Sequence, residues 1–227
     1  MRSSRLVVLS LATAAAVGFT PAAGHAQSAS RPFADSWYWG VFGGVTNFAT
    51  TPGSGNLHTT APTVGIDWML TREKFALNIF ANQSYFSTTS SVADVNGSGP
   101  LPVGINDMRQ VGFSLMLFTP EIKMIKPYVS LGYSFNFVNS AKLGTCAACT
   151  TAAADSNATA IVDARAMGRV FANVGAMWVY KRWAPFAQVS LMPTQGASDW
   201  YINGTGFTTS FAAGIRYNFG SSIDKSW

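Results

Sequence analysis

The sequence predicts an all-β protein: an eight-stranded antiparallel up-and-down β-barrel that crosses a membrane with its strands. Three observations support this fold class, namely alternating polarity in eight segments, alternating long and short spacers, and a low content of charge. Only 11% of the 227 residues are charged and 48% are hydrophobic, whereas soluble domains contain about 25% charged residues. Beyond the amino terminus, no segment approaches the roughly 18 consecutive apolar residues of a membrane helix.

The last predicted strand, residues 207–219, shows the polarity most clearly. It reads FTTSFAAGIRYNF, and successive side chains of a strand point to opposite faces. One face is small or polar and includes Arg216 and Asn218. The other face is apolar with aromatic ends, and it carries Phe207, Phe211, Ile215, Tyr217 and Phe219. An apolar outer face and a polar inner face are typical of a barrel surrounded by lipid.

The amino terminus has the features of a secretory signal peptide. Arg2 and Arg5 precede an apolar stretch at 6–19, and a small-x-small site ends at Ala26. These features predict cleavage after Ala26. The predicted organisation is a signal peptide at 1–26, a short lead at 27–36, the barrel at 37–219 and a periplasmic tail at 220–227.

Eight segments have the alternation of strands. They span residues 37–48, 61–70, 75–87, 108–119, 127–139, 165–180, 185–192 and 207–219. Long spacers lie at 49–60, 88–107, 140–164 and 193–206, and short ones lie at 71–74, 120–126 and 181–184. This pattern predicts four long outer loops and three short periplasmic turns, with both chain ends on the periplasmic side.

Aromatic residues on the apolar faces sort by depth. Many lie close to the short turns, where the headgroup region of a bilayer favours amphipathic rings. They predict an interfacial girdle formed by Trp37, Trp39, Trp68, Trp178, Tyr180, Trp183, Tyr217 and Phe219.

The opposite faces predict a polar lumen. An eight-stranded barrel is just wide enough for its side chains to fill, and buried charges must be paired. We therefore expect Asp67 and Arg216 to meet across the lumen, directly or through a neighbouring amide. Arg165 and Arg169 have no acidic partner in register, and they either use amide carbonyls or line an anion-attracting vestibule. The predicted network comprises Asp67, Asn78, Gln110, Arg165, Arg169, Gln188, Arg216 and Asn218.

Cys146 and Cys149 stand in the third long spacer, in the sequence CAAC. An exported chain meets an oxidising compartment, so we expect a disulfide. A redox pair lacks a strand-to-helix setting here, and a structural zinc site needs four ligands. His58 is the single histidine after Ala26, and no spacing motif joins it to Ser90, Ser91 or Asp94. We expect no metal, no cofactor and no enzyme activity.

The formal net charge of +5 falls to +3 when Arg2 and Arg5 are removed with the signal peptide. Such a small excess does not indicate a nucleic-acid partner. It is compatible with weak attraction to anionic lipopolysaccharide in the surrounding membrane.

Two motifs carry a family resemblance. PYVSLGYSFNF at 127–137 and GIRYNF at 214–219 resemble strands of the small eight-stranded outer-membrane barrels, the group that includes the OmpA transmembrane domain, OmpX and OmpW. The resemblance implies a monomer in the cell outer membrane, whose final strand is recognised by the barrel-assembly machinery with Phe219 as its aromatic end. The tail after Phe219 departs from the family, which usually ends at that aromatic residue.

The function expected from these features is structural or surface-interacting, as in an adhesin or a protein of envelope integrity, with any surface ligand at the long loops. A narrow passive channel for small or apolar solutes is the first alternative. A lipid A-modifying enzyme is the second, and it requires a catalytic group built from the loops.

Overall fold

The structure is a computed structural model that describes residues 33–50, 57–85, 89–93, 100–105, 107–122, 124–138, 141–143, 166–193 and 207–222. The predicted signal peptide, Arg165, and the pair Cys146 and Cys149 lie outside these ranges. His58 lies in a described strand, but its side chain is not described.

The described residues form eleven strands. They are β1 (Ser36–Thr50), β2 (Leu57–Thr71), β3 (Phe75–Tyr85), β4 (Thr89–Ala93), β5 (Pro100–Ile105), β6 (Asp107–Phe118), β7 (Ile125–Val138), β8 (Ala141–Leu143), β9 (Ala166–Trp178), β10 (Trp183–Pro193) and β11 (Phe207–Ser221).

Eight of these strands close into a barrel in the order β1-β11-β10-β9-β7-β6-β3-β2. Every pair is antiparallel, and each strand lies beside the barrel strand that follows it in the chain. The first and last strands pair with each other and complete the closure. This confirms the predicted all-β, eight-stranded up-and-down barrel.

The strands differ from the predicted segments at several ends. β1 continues to Thr50, β2 begins earlier, at Leu57, and β11 continues past Phe219 to Ser221. β9 ends at Trp178, and Tyr180 forms an isolated bridge with Trp183. Ladder hydrogen bonds do not depend on side-chain polarity, so strands extend beyond the apolar band where alternation no longer reports them.

A small second sheet was not predicted. β5 pairs with β4 on one side and with β8 on the other, although the long spacers that contain them were expected to be loops. Their sequences TSSVA, PLPVGI and AKL are too short and too weakly alternating to show a strand period. β4 and β8 each supply hydrogen-bonding partners to β5, and β8 is distant from β5 in the chain.

The outer face of the barrel wall is apolar, as the alternation predicts. Large hydrophobic side chains point outward, with Leu131 68% exposed and Val174 63% exposed. A continuous apolar surface of this kind requires a nonaqueous environment, and a closed barrel satisfies its backbone hydrogen bonds within lipid. In the part of the chain described, no helix is long and apolar enough to span a membrane. The apolar outer face and the closed strand pairing place the barrel in a membrane, with its outer face against lipid.

Candidate functional site

The lumen is the candidate functional site, and it divides into two halves. The short-turn half lies toward the turns between β2 and β3, β6 and β7, and β9 and β10. The long-loop half lies toward the opposite end of the barrel.

A buried ion pair occupies the short-turn half. Arg216 on β11 donates from Nε and Nη2 to Oδ2 of Asp67 on β2, at 2.8 and 2.5 Å. The side chains are 1% and 2% exposed. Removal of either partner would leave an unpaired charge in a site that is almost entirely shielded from bulk solvent, which is strongly destabilising. The structure thus places the two residues in direct contact inside the lumen.

Gly40 lets this pair form. It lies on β1, opposite Asp67 on one side and Arg216 on the other. A Cβ at position 40 would overlap the Asp67 carboxylate and lie 2.8 Å from Cγ of Arg216. The two charged side chains therefore cross over β1 at the place where it carries no side chain.

The remaining faces of the guanidinium are also covered. The ring of Phe186 lies 3.7 Å from Cζ of Arg216, and Nη1 contacts Sδ of Met177 at 3.7 Å. The hydroxyl of Tyr128 lies beside the same group and donates to Oε1 of Gln188 at 2.9 Å. Stacking on an aromatic face and a charged hydrogen bond together replace the lost hydration.

An apolar cluster fills the rest of the short-turn half. Its buried members are Tyr38, Met69, Ala76, Met116, Tyr128, Met177, Ala184 and Phe186. The expectation of a polar lumen is wrong for this half. The inward positions of these strands hold apolar side chains that pack against one another. Charged groups are poorly solvated in such an interior, which favours tight pairing of Asp67 with Arg216.

The residues before β1 close the short-turn end. The ring of Phe33 packs edge-on against Phe118 at 4.8 Å, and its carbonyl accepts a hydrogen bond from the Thr71 hydroxyl at 2.5 Å. Nζ of Lys126 lies 4.8 Å from the centre of the same ring. The lead segment thus covers the apolar cluster at the short-turn end of the lumen.

The long-loop half has a different filling. Hydroxyls of Thr46, Thr63 and Ser84 form a chain with distances of 2.9 and 2.7 Å. Gln110 accepts from Nδ2 of Asn82 at 2.8 Å and donates to the Ser134 hydroxyl at 3.0 Å. All of these residues except Ser134 border a cavity of about 60 Å³, which exceeds the roughly 10–15 Å³ that one water needs.

Seven of the eight predicted lumen residues are described, and all seven lie on the inner face. Asn78 and Gln188 line the cavity, and Asn218 is buried beside the Tyr38 hydroxyl. Arg169 lies opposite Ser134 of β7, in alternation with buried Phe171. The apolar cluster was missed because inward residues were selected by polarity, whereas their alternate positions on each strand would have identified Met69 and Met116.

The predicted girdle lies on the outer face at the short-turn end. Trp37 and Trp68 stack with ring centres 4.7 Å apart, and Trp39 is 6.4 Å from Trp68. Tyr217 contacts both Trp183 and Phe219. Trp178 and Tyr180 form a further pair at 6.4 Å.

The lumen offers no evident metal chemistry among the described residues, where no three His, Cys, Asp or Glu side chains come together. The charges of Asp67 and Arg216 are paired with each other, and the other polar groups described in the lumen are the guanidinium of Arg169, amides, hydroxyls and thioethers. This arrangement can hold water and close a passage.

Comparisons with known proteins agree on the fold. No family model matches the sequence, and no curated protein matches it. Among solved structures, Neisserial surface protein A is similar with a TM-score of 0.52 and 11% identity, over 81% of this chain and 97% of that chain.

Two further solved barrels cover similar shares of both chains, with TM-scores below 0.5. Ail of Yersinia pestis has a TM-score of 0.43 and 7% identity, over 81% of this chain and 99% of its own. The Escherichia coli outer membrane protein W has a TM-score of 0.36 and 12% identity, over 82% and 98%. Together with the lipid-facing band and the closed eight-stranded topology, the likeness to Neisserial surface protein A shows that this chain has the fold of the small outer-membrane β-barrels.

Proposed function

We propose that the protein is a non-conducting outer-membrane barrel with a structural or surface-interaction role, as in envelope integrity or adhesion. One observation carries this proposal, namely the closure of the short-turn half of the lumen by the ion pair of Asp67 and Arg216. The apolar cluster packs beside the pair, and Phe33 covers the cluster at the short-turn end, so the interior acts as a packed core. Activity then belongs to the surfaces that the barrel presents, and no catalytic role is assigned to it.

The second sheet supports a surface role. Two of its strands, β4 and β5, come from the second long spacer, and β8 comes from the third. Hydrogen bonds between separate loops give the long-loop end an ordered element, on which a surface ligand can dock. The proposed partners are outer-membrane lipid and lipopolysaccharide around the wall, the barrel-assembly machinery at the final strand, and a ligand at the long loops. The proposed working form is a monomer.

Single-channel recording in a planar bilayer tests the closed lumen. The refolded protein should insert and give no discrete conductance. The variant Met177→Ala/Phe186→Ala, which empties part of the apolar cluster, should open a measurable path. Met192→Ala in the long-loop half is the matched control, and it should remain silent. Reproducible openings of the unaltered protein would overturn the proposal.

Complementation separates a structural from a surface-interaction role. A strain that lacks the protein would receive either the full chain or a version in which residues 88–106 and 140–164 are replaced by short glycine turns. If the trimmed barrel restores resistance to detergent as well as the full chain does, the role is structural. If only the full chain restores the phenotype, the loops carry the function.

A narrow passive channel is the second candidate, and the cavity of about 60 Å³ in the long-loop half favours it. Passage would require the apolar cluster to move, because the cavity ends at Asp67. Lipid A modification is the third, and it rests on His58 with groups of the second long spacer. Lipid A that is unchanged in a strain with His58→Ala would exclude it.

A further inference from the structure

An aromatic groove runs along the lipid-facing surface over the seam between β1 and β11, at the short-turn end. Its volume is about 1050 Å³, at the upper end of the roughly 300–1000 Å³ of small-molecule sites. Val41 and Ile215 form its floor. Its two walls are formed by six residues of the girdle, namely Trp37, Trp39, Trp68, Trp183, Tyr217 and Phe219.

Ring contacts hold the residues of each wall together. Gly220, which has no side chain, leaves a gap between the two walls. Trp37 and Trp68 are nearly parallel, at 10°. On the other side, Tyr217 meets Trp183 at 4.7 Å and Phe219 at 5.3 Å. Trp37 lies opposite Gly220, and the register between the two strands shifts directly after Trp37. The outer surface of the paired β1 and β11 is therefore left uncovered between two aromatic stacks.

Among the described residues, the opposite side of the barrel presents mainly aliphatic side chains to lipid at the same depth. On β3, β6 and β7 these are Leu77, Leu115, Leu117, Val129 and Leu131, and Phe75 is the aromatic residue beside them. An ordinary interfacial girdle surrounds a barrel. Concentration of six aromatic residues on one side indicates a local binding surface in addition to membrane anchoring.

The mouth of the groove is cationic. Nη1 of Arg182 donates to the hydroxyl of Tyr217 at 3.2 Å, which holds a cation at the edge of the groove. Lys181 is the chain neighbour of Arg182, and its Nζ lies 5.3 Å from the centre of the Tyr180 ring, beside the groove lining. Elsewhere on this rim Arg72 pairs with Asp35. Within the described ranges, no carboxylate forms an ion pair with Lys181 or Arg182.

An apolar cleft with a cationic mouth, facing lipid at headgroup depth, is complementary to an amphipathic anion. We propose that the groove binds one phospholipid with an anionic headgroup from the leaflet around the short-turn end. The acyl chains lie between the aromatic walls, and the phosphate contacts Arg182 and Lys181. A guanidinium binds phosphate oxygens through two parallel hydrogen bonds, and the Tyr217 hydroxyl holds Arg182 at the mouth.

Tryptophan fluorescence tests the proposal, because four tryptophans line the groove. The protein would be refolded in phosphatidylcholine vesicles that contain, at equal mole fraction, either phosphatidylglycerol or phosphatidylcholine with brominated acyl chains. Brominated phosphatidylglycerol should quench more strongly. Each basic residue near a membrane surface contributes about a fivefold preference for anionic lipid, so Arg182→Gln should lower the preference about fivefold.

Lys74→Gln is the matched control, because Lys74 is a basic residue of the turn between β2 and β3, whereas Arg182 is hydrogen-bonded to Tyr217 of the groove lining. It should keep the preference of the unaltered protein. Tyr217→Phe, which removes the hydroxyl beside Arg182, should give a smaller loss than Arg182→Gln. Heat-modifiable gel migration would verify that each variant is folded.

Three results would overturn the proposal. The first is equal quenching by the two brominated lipids in the unaltered protein. The second is an unchanged preference in folded Arg182→Gln. The third is a dimer whose cross-links join two grooves, because a second copy of the chain would then be the occupant.

Discussion

The two halves of the lumen belong to the same strands and follow the same alternation, yet different forces hold them. In the short-turn half Arg216 and Asp67 pair beside aromatic rings and thioethers, almost entirely shielded from bulk solvent. In the long-loop half, neutral hydrogen bonds surround a cavity. Alternation therefore decides which side chains point inward, whereas depth decides whether they close the barrel. We expect the stability of the wall to depend mainly on the short-turn half.

The largest effect should come from Arg216→Met. The change leaves the Asp67 carboxylate buried without its partner, which should lower the free energy of unfolding by about 3–5 kcal/mol. Urea unfolding in lipid vesicles, followed by tryptophan fluorescence, measures it.

The double variant Asp67→Leu/Arg216→Met tests the cause. With both charges removed, most of the lost stability should return, because an apolar pair of similar volume suits this interior. A double variant less stable than Arg216→Met would contradict the pairing argument.

A smaller effect is expected from Gly40→Ala. The added Cβ overlaps the Asp67 carboxylate, and relief of such overpacking typically costs about 1–3 kcal/mol. Equilibrium unfolding in the same vesicles gives the value.

Gly43→Ala provides the comparison on the same strand. Its Cβ would face lipid and meet only the Thr63 carbonyl at 3.8 Å, so the free energy of unfolding should change by less than about 0.5 kcal/mol. Equal losses at the two positions would mean that β1 itself resists alanine, irrespective of the ion pair.

The smallest effect should come from the long-loop half. Thr63→Val keeps the side-chain shape but removes the hydroxyl that joins Thr46 and Ser84. Neutral hydrogen bonds contribute about 0.5–1.5 kcal/mol each, and water in the adjacent cavity can replace part of the loss, so about 1 kcal/mol is expected. If unfolding measurements give as large a loss as for Arg216→Met, the contrast between the two halves is wrong.

The sequence was sufficient for the wall of the barrel. A period of two places Val64 and Ile66 on the outer face in any strand register that does not exchange the two faces. The spacers between the alternating segments give the number of strands. Charge pairing also followed from elementary energetics, since a buried Arg216 needs an anion and Asp67 was the inward carboxylate at the same depth.

The sequence was not sufficient for what fills the lumen. Met69 and Tyr38 occupy inward positions, but a preference for polar side chains inside directs attention away from them. Their packing depends on the register between strands, which brings β2, β7 and β10 together and is not contained in any one segment. The same limit applies to Phe33 and to the pairing of β5 with β8, whose partners are distant in the chain.

The closure between β1 and β11 has a consequence for the order of events during biogenesis. Asp67 and Arg216 are 149 positions apart, and Arg72 of the β2 turn bonds to Ser222 after the last strand. A chain that ends before β11 would present two unpaired strand edges, which are sites of aggregation, and an unneutralised carboxylate. Only a chain that includes β11 can complete the circle, so we expect a product truncated before β11 to be degraded.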